Sequence, residues 1–467
     1  MQSNNHADAL HRLLTRPMRS TDICAALGIS QPAFSRLSRQ LPELVALGSA
    51  RARVYAWARR LPGIPAAIPV AEISSDGLPC QTGLLHVFEG GWYALSHAGS
   101  TRYTLYQGLP PCFADLRPQG FLGRLEPRIH RDLDLPTDIL RWSDEHVLQY
   151  LTRRSEHAAG NLVLGEESLA RYWEARQRGM PAPLPATGRA SAYPTMAQAA
   201  MQGEPVGSSA GGEQPKFTCL LQTDEADGDD ALTHVLVKFS PPIDTPGGRR
   251  WADLLVCEHL ALATLHRFAL PAAATEILAL EERFYLEIRR FDRCGRYGRL
   301  PMVTLAALDG DLGMLDQSWT AVARVLHAQQ QLSPEDLRLV EIIDLFGALI
   351  GNVDKHHGNL AVAWDWRPSY RLLPAYDMLS MLYRPNGHGE VVARAWNVQA
   401  LRGMQLAHLP LCMEMATAFW QQVQDDVRIS DDFKQLAGHH MAALAPLTCG
   451  GDTTAAPAAI RPASRRK

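Results

Sequence analysis

GNVDKHHGNL occupies residues 351–360, and Asp377 follows in LLPAYDMLS at residues 372–380. Asp354 and Asn359 stand five positions apart, the separation of the catalytic carboxylate and the metal-binding asparagine in the D-x-x-x-x-N loop of protein kinases. Asp377 lies eighteen residues further on, where a second metal carboxylate is expected after a short hairpin. In such a site one carboxylate orients a hydroxyl nucleophile, while an amide oxygen and a second carboxylate hold magnesium against the phosphates. Taken alone, the same residues suit an asparagine-glycine turn cluster in which Asp354 and Asp377 serve as caps. What precedes them in the chain decides between the two.

GSSAGGEQPK, residues 207–216, stands just before a β-like run. Its Ser208, Ser209, Gly211 and Gly212 suit a backbone cradle for phosphates, because glycine lets main-chain N–H groups approach a ligand closely; Lys216 adds a point charge. The signal is weak by itself, since neither GxGxxG nor a Walker pattern is present. In HVLVKFSPP, Lys238 sits inside an apolar β run, where a buried ammonium needs an anionic partner or a ligand phosphate. Glu258 on the helix expected over residues 251–268 supplies a partner. Glycine loop, lysine, glutamate, D-x-x-x-x-N and aspartate thus follow one another in a single chain order, and that series outweighs the turn-and-cap reading.

The rest of the composition sets the frame. At 467 residues the chain exceeds one core's worth, taking about 150 residues per domain. With 46% hydrophobic and 20% charged residues it reads as an ordinary globular protein rather than a disordered or fibrous one. The formal net charge of -3 points to no whole-chain field for nucleic acid or membrane. Eight cysteines are scattered without a CxxC pair, as reduced thiols are rather than a disulfide framework or zinc knuckle. No leader-like or spanning stretch is apparent, so a cytoplasmic location and no membrane partner are expected.

Residues 1–60 differ in kind: nine arginines face Asp8, Asp22 and Glu43, a net +6. STDICAALGISQPAFSRLSRQL, residues 20–41, reads as helix, turn and helix, broken at Gly28 and restarted by Ser30 with Pro32 in the first turn. Val45–Arg60 alternates apolar and basic residues around a Gly48-Ser49 turn, as a β-wing would. A winged helix-turn-helix follows, binding duplex DNA through Gln31, Ser35, Arg36 and Arg39 on the second helix and Arg51 and Arg53 on the wing.

The expected organisation is α+β. It comprises the winged helix-turn-helix at 1–62, a proline-rich linker, and a small β-rich unit at 70–135. A helical linker and small kinase lobe follow at 136–300, with 180–206 loop-like, then a helical lobe at 301–447 and a disordered tail at 448–467.

These strings together resemble the HipA family of bacterial serine/threonine kinases, and the basic N-terminal unit makes the chain most similar to the YjjJ (HipH) branch. GLPPCFADLRPQGFLGR (108–124) resembles the family's N-terminal LPPFF segment, SSAGGEQPK its serine-containing phosphate loop, and RRFDR (289–293) its hinge. The resemblance implies Asp354 as the catalytic aspartate, Asn359 and Asp377 as magnesium ligands, and Lys238 as the nucleotide-phosphate lysine, with Lys216 assisting. Ser208 or Ser209 corresponds to the autophosphorylated loop serine. Arg289 replaces the hinge glutamate, so adenine recognition falls to backbone groups of Arg290 or Phe291, and His356 is counted with the nucleotide-facing residues. The resemblance also implies an aminoacyl-tRNA synthetase as the first substrate to test. The family's antitoxin supplies DNA binding from a separate protein, whereas here the DNA-binding unit is fused.

The expected function is therefore an ATP- and Mg²⁺-dependent serine/threonine protein kinase of HipA toxin type. Two rivals stand beside it: a DNA-binding regulator whose kinase-like part senses nucleotide or is inactive, and a metal-dependent nuclease using Asp354, His356, His357 and Asp377.

Overall fold

The computed structural model describes residues 2–448 apart from 50–52, 101, 205–211, 224–227, 281, 315–316, 365 and 367–368. Three helices open it, Gln2–Leu13, Ser20–Leu27 and Gln31–Gln40. Gly28, at φ 64, ends the second, and the Ser30 hydroxyl accepts from Ala33 N to start the third. A three-stranded sheet, with Val54–Trp57 between Met18–Arg19 and Leu44–Leu47, covers a core of Leu10, Leu14, Ile23, Phe34 and Leu37.

This unit is docked rather than tethered. Leu47 and Ala56 pack with Phe88 and Ala94 of the next sheet, and Arg59 pairs with Glu145. The proline-rich stretch expected to be a linker already belongs to structure: the strand Ala67–Ile73 starts within it, because its alternating apolar residues have a sheet face to bury.

The middle unit is a five-stranded antiparallel sheet in the order Tyr103–Gln107, Trp92–His97, Pro79–Phe88, Ala67–Ile73, Leu162–Leu164. Its last strand and the helix Asp144–Arg154 come from the segment expected to open the small lobe. Val147, Leu148 and Leu151 of that helix share a core with Ile68, Val70 and Leu85, so burial assigns it to the middle unit.

The third unit begins with a five-stranded sheet ordered Thr275–Leu280, Arg283–Arg289, Leu232–Phe239, Lys216–Gln222, Leu184–Pro185. Residues 180–206, read as loop from proline and glycine, contain the helix Arg189–Gln202. Its alanine- and methionine-rich run has high helix propensity, and Tyr193, Ala197 and Ala200 bury against Phe217 and Val237. The long helix Pro246–Arg267 starts earlier than its apolar pattern indicates, because Thr245 caps it and Pro246 fills its first turn. One side of it packs Ala252 and Leu255 on the sheet, and the other packs Leu254, Cys257 and Leu262 into the helical lobe. That lobe is built from Leu305–Leu312, Trp319–Ala328, Pro334–Leu349, Leu409–Asp425 and Asp431–Thr448. Residues 449–467, expected to be a disordered tail, lie outside the described residues.

Candidate active site between the two lobes

Antiparallel register sets Lys216 directly opposite Lys238 on neighbouring strands, and both are buried. Two ammonium groups so placed repel one another unless carboxylates answer them. Lys238 Nζ donates to both Glu258 oxygens at 2.7 and 2.8 Å and also bonds Asp377 Oδ1. Burial works against the Lys238 charge, but Asp377 and Glu258 outweigh it and hold the ammonium above the ordinary lysine range. Burial pushes the Glu258 carboxyl up, with Lys238 pulling the other way. For Asp377, Lys238 and Lys216 overcome burial and keep the carboxyl below its usual range. Lys216 has less help: burial, opposed by Asp377, brings its amine down to about 8.

The loop that carries Asp354 leaves the helix Pro334–Leu349 through Gly351, whose φ of 75 favours glycine. Asn352 then ties three parts together: its Oδ1 accepts from Asp354 N at 3.1 Å, and its Nδ2 donates to Asp377 O at 3.2 Å. Asn359 Nδ2 donates to Asp354 O at 2.9 Å, closing the loop across its five-residue span. Trp319 Nε1 donates to His356 O at 3.0 Å, and Tyr376 OH to Gly358 O at 2.7 Å. Asp377 itself adopts φ 52, a left-handed conformation that costs about 1–3 kcal/mol outside glycine. Strain of this kind persists where surrounding contacts over-determine it.

A cleft of about 200 Å³ opens between the lobes. Lys216, Lys238, His356, Asn359 and Asp377 line its polar end, and Leu236, Ile288 and Phe291 its apolar end. Neither Asp354 nor Glu258 is among the lining residues; Glu258 reaches the cleft through its pair with Lys238. Gly212 lines the cleft; Ser208, Ser209 and Gly211 lie outside the described residues. The Arg290 guanidinium is committed to Asp292 at 2.9 and 2.7 Å, and its backbone N–H to His234 O at 2.9 Å. Of the two hinge residues expected to meet adenine, Arg290 therefore has its backbone N–H already engaged.

The sequence reading missed the roof. Residues 115–119 and 123 of the middle unit line the same cleft, and Asp115 accepts from Thr304 N and Oγ1 at 2.8 and 2.6 Å. Phe121 N donates to Gly212 O at 2.8 Å, so the middle unit grips the end of the glycine-rich segment. Asn352 was missed as well. Its place in GNVD was visible, but nothing in the string distinguishes a bracing asparagine from a turn residue.

The donor set suits magnesium, a hard cation that prefers oxygen ligands. Asn359 spends its amide nitrogen on the loop and keeps its oxygen for a ligand, and Asp377 supplies a carboxylate in the same cleft. His356 Nδ1 accepts from Gly358 N, and His357 Nε2 meets Gln317 O. Among the described residues no three His, Cys, Asp or Glu side chains gather as a metal cluster. In the N-terminal unit, Gln31, Ser35, Arg36 and Arg39 are exposed on the helix Gln31–Gln40 while Phe34 and Leu37 face the core. Arg53 is exposed, and Arg51 lies outside the described residues.

The family model for the HipA-like C-terminal domain matches residues 208–445, just over half of the chain. The chain belongs to the HipA-like family. A second model, the middle domain of YjjJ-like toxins, matches residues 64–173, the docked sheet and its helices. Toxin YjjJ of Escherichia coli K12 is 36% identical over 435 residues, covering 91% of this chain and 94% of that one. Two solved structures are more distant. HipA in the Shewanella oneidensis complex of HipA, HipB and operator DNA is 15% identical, covers 80% of this chain and 95% of its own, and aligns with a TM-score of 0.46. The Helicobacter pylori proinflammatory kinase CtkA is 13% identical, covers 51% and 90%, and has a TM-score of 0.35. Among the described residues no helix is long and apolar enough to cross a membrane.

Proposed function

We propose that this protein is a serine/threonine kinase of HipA toxin type that transfers the γ-phosphoryl group of ATP to a protein hydroxyl. The observation carrying this reading is the buried Lys238–Glu258–Asp377 network at the polar end of the cleft, with Asn359 beside it and Asp354 braced by both Asn352 and Asn359. Such transfer depends on positioning and charge neutralisation more than on covalent chemistry. Lys238, oriented by Glu258, and Lys216 bind the phosphates from the small-lobe side, and Asp354 aligns the acceptor hydroxyl. Asn359 and Asp377 would hold Mg²⁺, which when bound would supply charge neutralisation on the phosphates. The apolar end at Leu236, Ile288 and Phe291 takes the adenine.

Autophosphorylation falls on Ser208 or Ser209. A phosphoserine there carries about -1.5 to -2 charge, which repels ATP and switches transfer off. The three helices and hairpin of residues 2–57 form a winged helix-turn-helix that places Arg36 and Arg39 on duplex DNA. An aminoacyl-tRNA synthetase is the first protein substrate to try, and the fused DNA-binding unit stands in for a separate antitoxin's operator contact.

Radiolabelled γ-phosphate transfer by wild type and Asp354→Asn tests the reading. Incorporation into the protein itself or a lysate protein, lost in the variant, is expected; undiminished transfer by Asp354→Asn overturns it. A DNA-binding regulator with an inactive kinase-like part predicts DNA binding without transfer in either form. The metal-nuclease reading is disfavoured because, among the described residues, no three His, Cys, Asp or Glu side chains gather to hold a metal.

A further inference from the structure

A second cavity, of about 510 Å³, lies behind the hinge, where the middle unit, the small-lobe sheet and the hairpin 293–299 meet. It is larger than the cleft and none of the chemistry above uses it. Arg176, Arg293, Arg296 and Arg299 line it against one carboxylate, Glu156. Arg293 is fully engaged: it donates to Gly160 O at 3.0 Å, to Asp292 Oδ2 at 2.6 Å and to Ala158 O at 2.6 Å. The other three keep capacity. Arg176 Nη1 donates to Gly77 O at 2.8 Å and its guanidinium stacks on Tyr297, while the side chain of Arg296 makes no hydrogen bond or ion pair among the described residues.

Arg299 gives the clearest signal. It is 6% exposed, lies over the Tyr172 ring and donates Nη2 to Glu156 O, yet its Nη1 has no partner among the described residues. A buried guanidinium N–H left unpaired is costly, so the cavity calls for an acceptor. Glu156 Oε2 is also unpartnered among the described residues, and burial raises that carboxyl above its usual range. His157 and His234, both brought to about 4 by burial and neighbouring arginines, face the cavity as neutral imidazoles. Met180, Leu184, Met196 and Leu220 give the cavity an apolar lining as well.

We infer that this cavity binds a small phosphate ester, its phosphate on Arg296, Arg299 and Arg176 and its apolar or ring-bearing body against Met180, Leu184 and Met196. Guanidinium forks match phosphate oxygens, and three of them facing one buried carboxyl favour a doubly charged anion over a singly charged one. The site stands apart from the cleft, so its test reads binding and not transfer.

Calorimetric titration of the full chain with phenyl phosphate, inorganic phosphate and benzoate separates the possibilities. Phenyl phosphate is expected to bind with a Kd below about 1 mM and at least about tenfold more tightly than either of the others. Arg299→Gln and Arg296→Glu are each expected to weaken it by about tenfold or more, and Arg296, partly exposed, serves where the buried Arg299 change impairs folding. Lys216→Met, altered in the other cavity, should retain the affinity. No saturable binding means that water alone fills the cavity, which overturns the inference. Loss in Lys216→Met with no change in Arg296→Glu places the anion in the cleft and overturns it too. Equal affinity for benzoate or for inorganic phosphate rejects the ester.

Discussion

Phe121 donates its backbone N–H to the carbonyl of Gly212 at 2.8 Å, and through that bond the middle unit fixes the end of the glycine-rich segment beside Lys216. The approach is possible because residue 120 is glycine: a Cβ there would stand 2.3 Å from Gly212 O, and φ is +67. Gly120→Ala should therefore displace the segment. A rise in KM for ATP with kcat less affected is expected, together with a stability loss of about 1–3 kcal/mol. Steady-state kinetics and chemical denaturation read the two effects, and an unchanged KM would break the link between Gly120 and nucleotide binding.

Removing different members of the buried charge network should have different consequences. Lys238→Met leaves the fully buried Glu258 carboxylate without its cation, a change of the kind that costs about 3–5 kcal/mol. Asp377→Ala leaves the Lys238–Glu258 pair intact, so it should abolish phosphate transfer at a smaller cost in stability. Urea midpoints and transfer assays on the two variants give the comparison. Equal destabilisation would mean that Asp377, not Glu258, is the main partner of Lys238.

The pH dependence should report Lys216. Burial first, against Asp377, sets its amine at about 8 in the folded protein against 10.5 ordinarily. Between those values the unfolded chain binds more protons, so this group makes stability rise with pH in that window. Its effect on function has the opposite sign, because loss of the ammonium above about pH 8 removes a phosphate contact. Accordingly kcat/KM for ATP should fall as pH rises through about 8, and Lys216→Arg should move that limb upward. A limb at the same pH in Lys216→Arg would assign it to another group.

DNA binding should depend on the exposed face of the helix Gln31–Gln40. Arg39 already bonds Ser35 O at 3.1 Å and Ser35 Oγ at 3.3 Å, which leaves Arg36 the more available cation. Arg36→Ala is expected to weaken duplex binding more than Arg39→Ala, and affinity should fall with salt through counterion release. Neither change should alter phosphate transfer. Mobility shifts at two salt concentrations check both points, and a shift that survives deletion of residues 1–60 would move DNA binding elsewhere.

By sequence alone this protein fixed its local chemistry: the Asp354–Asn359 spacing, a lysine in an apolar strand, a glutamate on the next helix, and helix caps at Ser30. Those are short-range facts, set by residue type and by the periods of helix and strand, and the closure of the loop by Asn359 on Asp354 follows from their spacing. Tertiary structure decided what depends on approach between distant segments. The opposed Lys216 and Lys238, the bracing of Asp377 by Asn352, the grip of Phe121 on Gly212 and the arginine-lined second cavity, where Arg299 meets Glu156, join residues up to 143 positions apart. Composition also misread 180–206 and the stretch after Ile64, because proline and glycine counts do not register the sheet faces on which Tyr193 and Ile68 are buried. Burial is a property of the assembled chain, and it converts the same lysine from a solvated charge into part of a network.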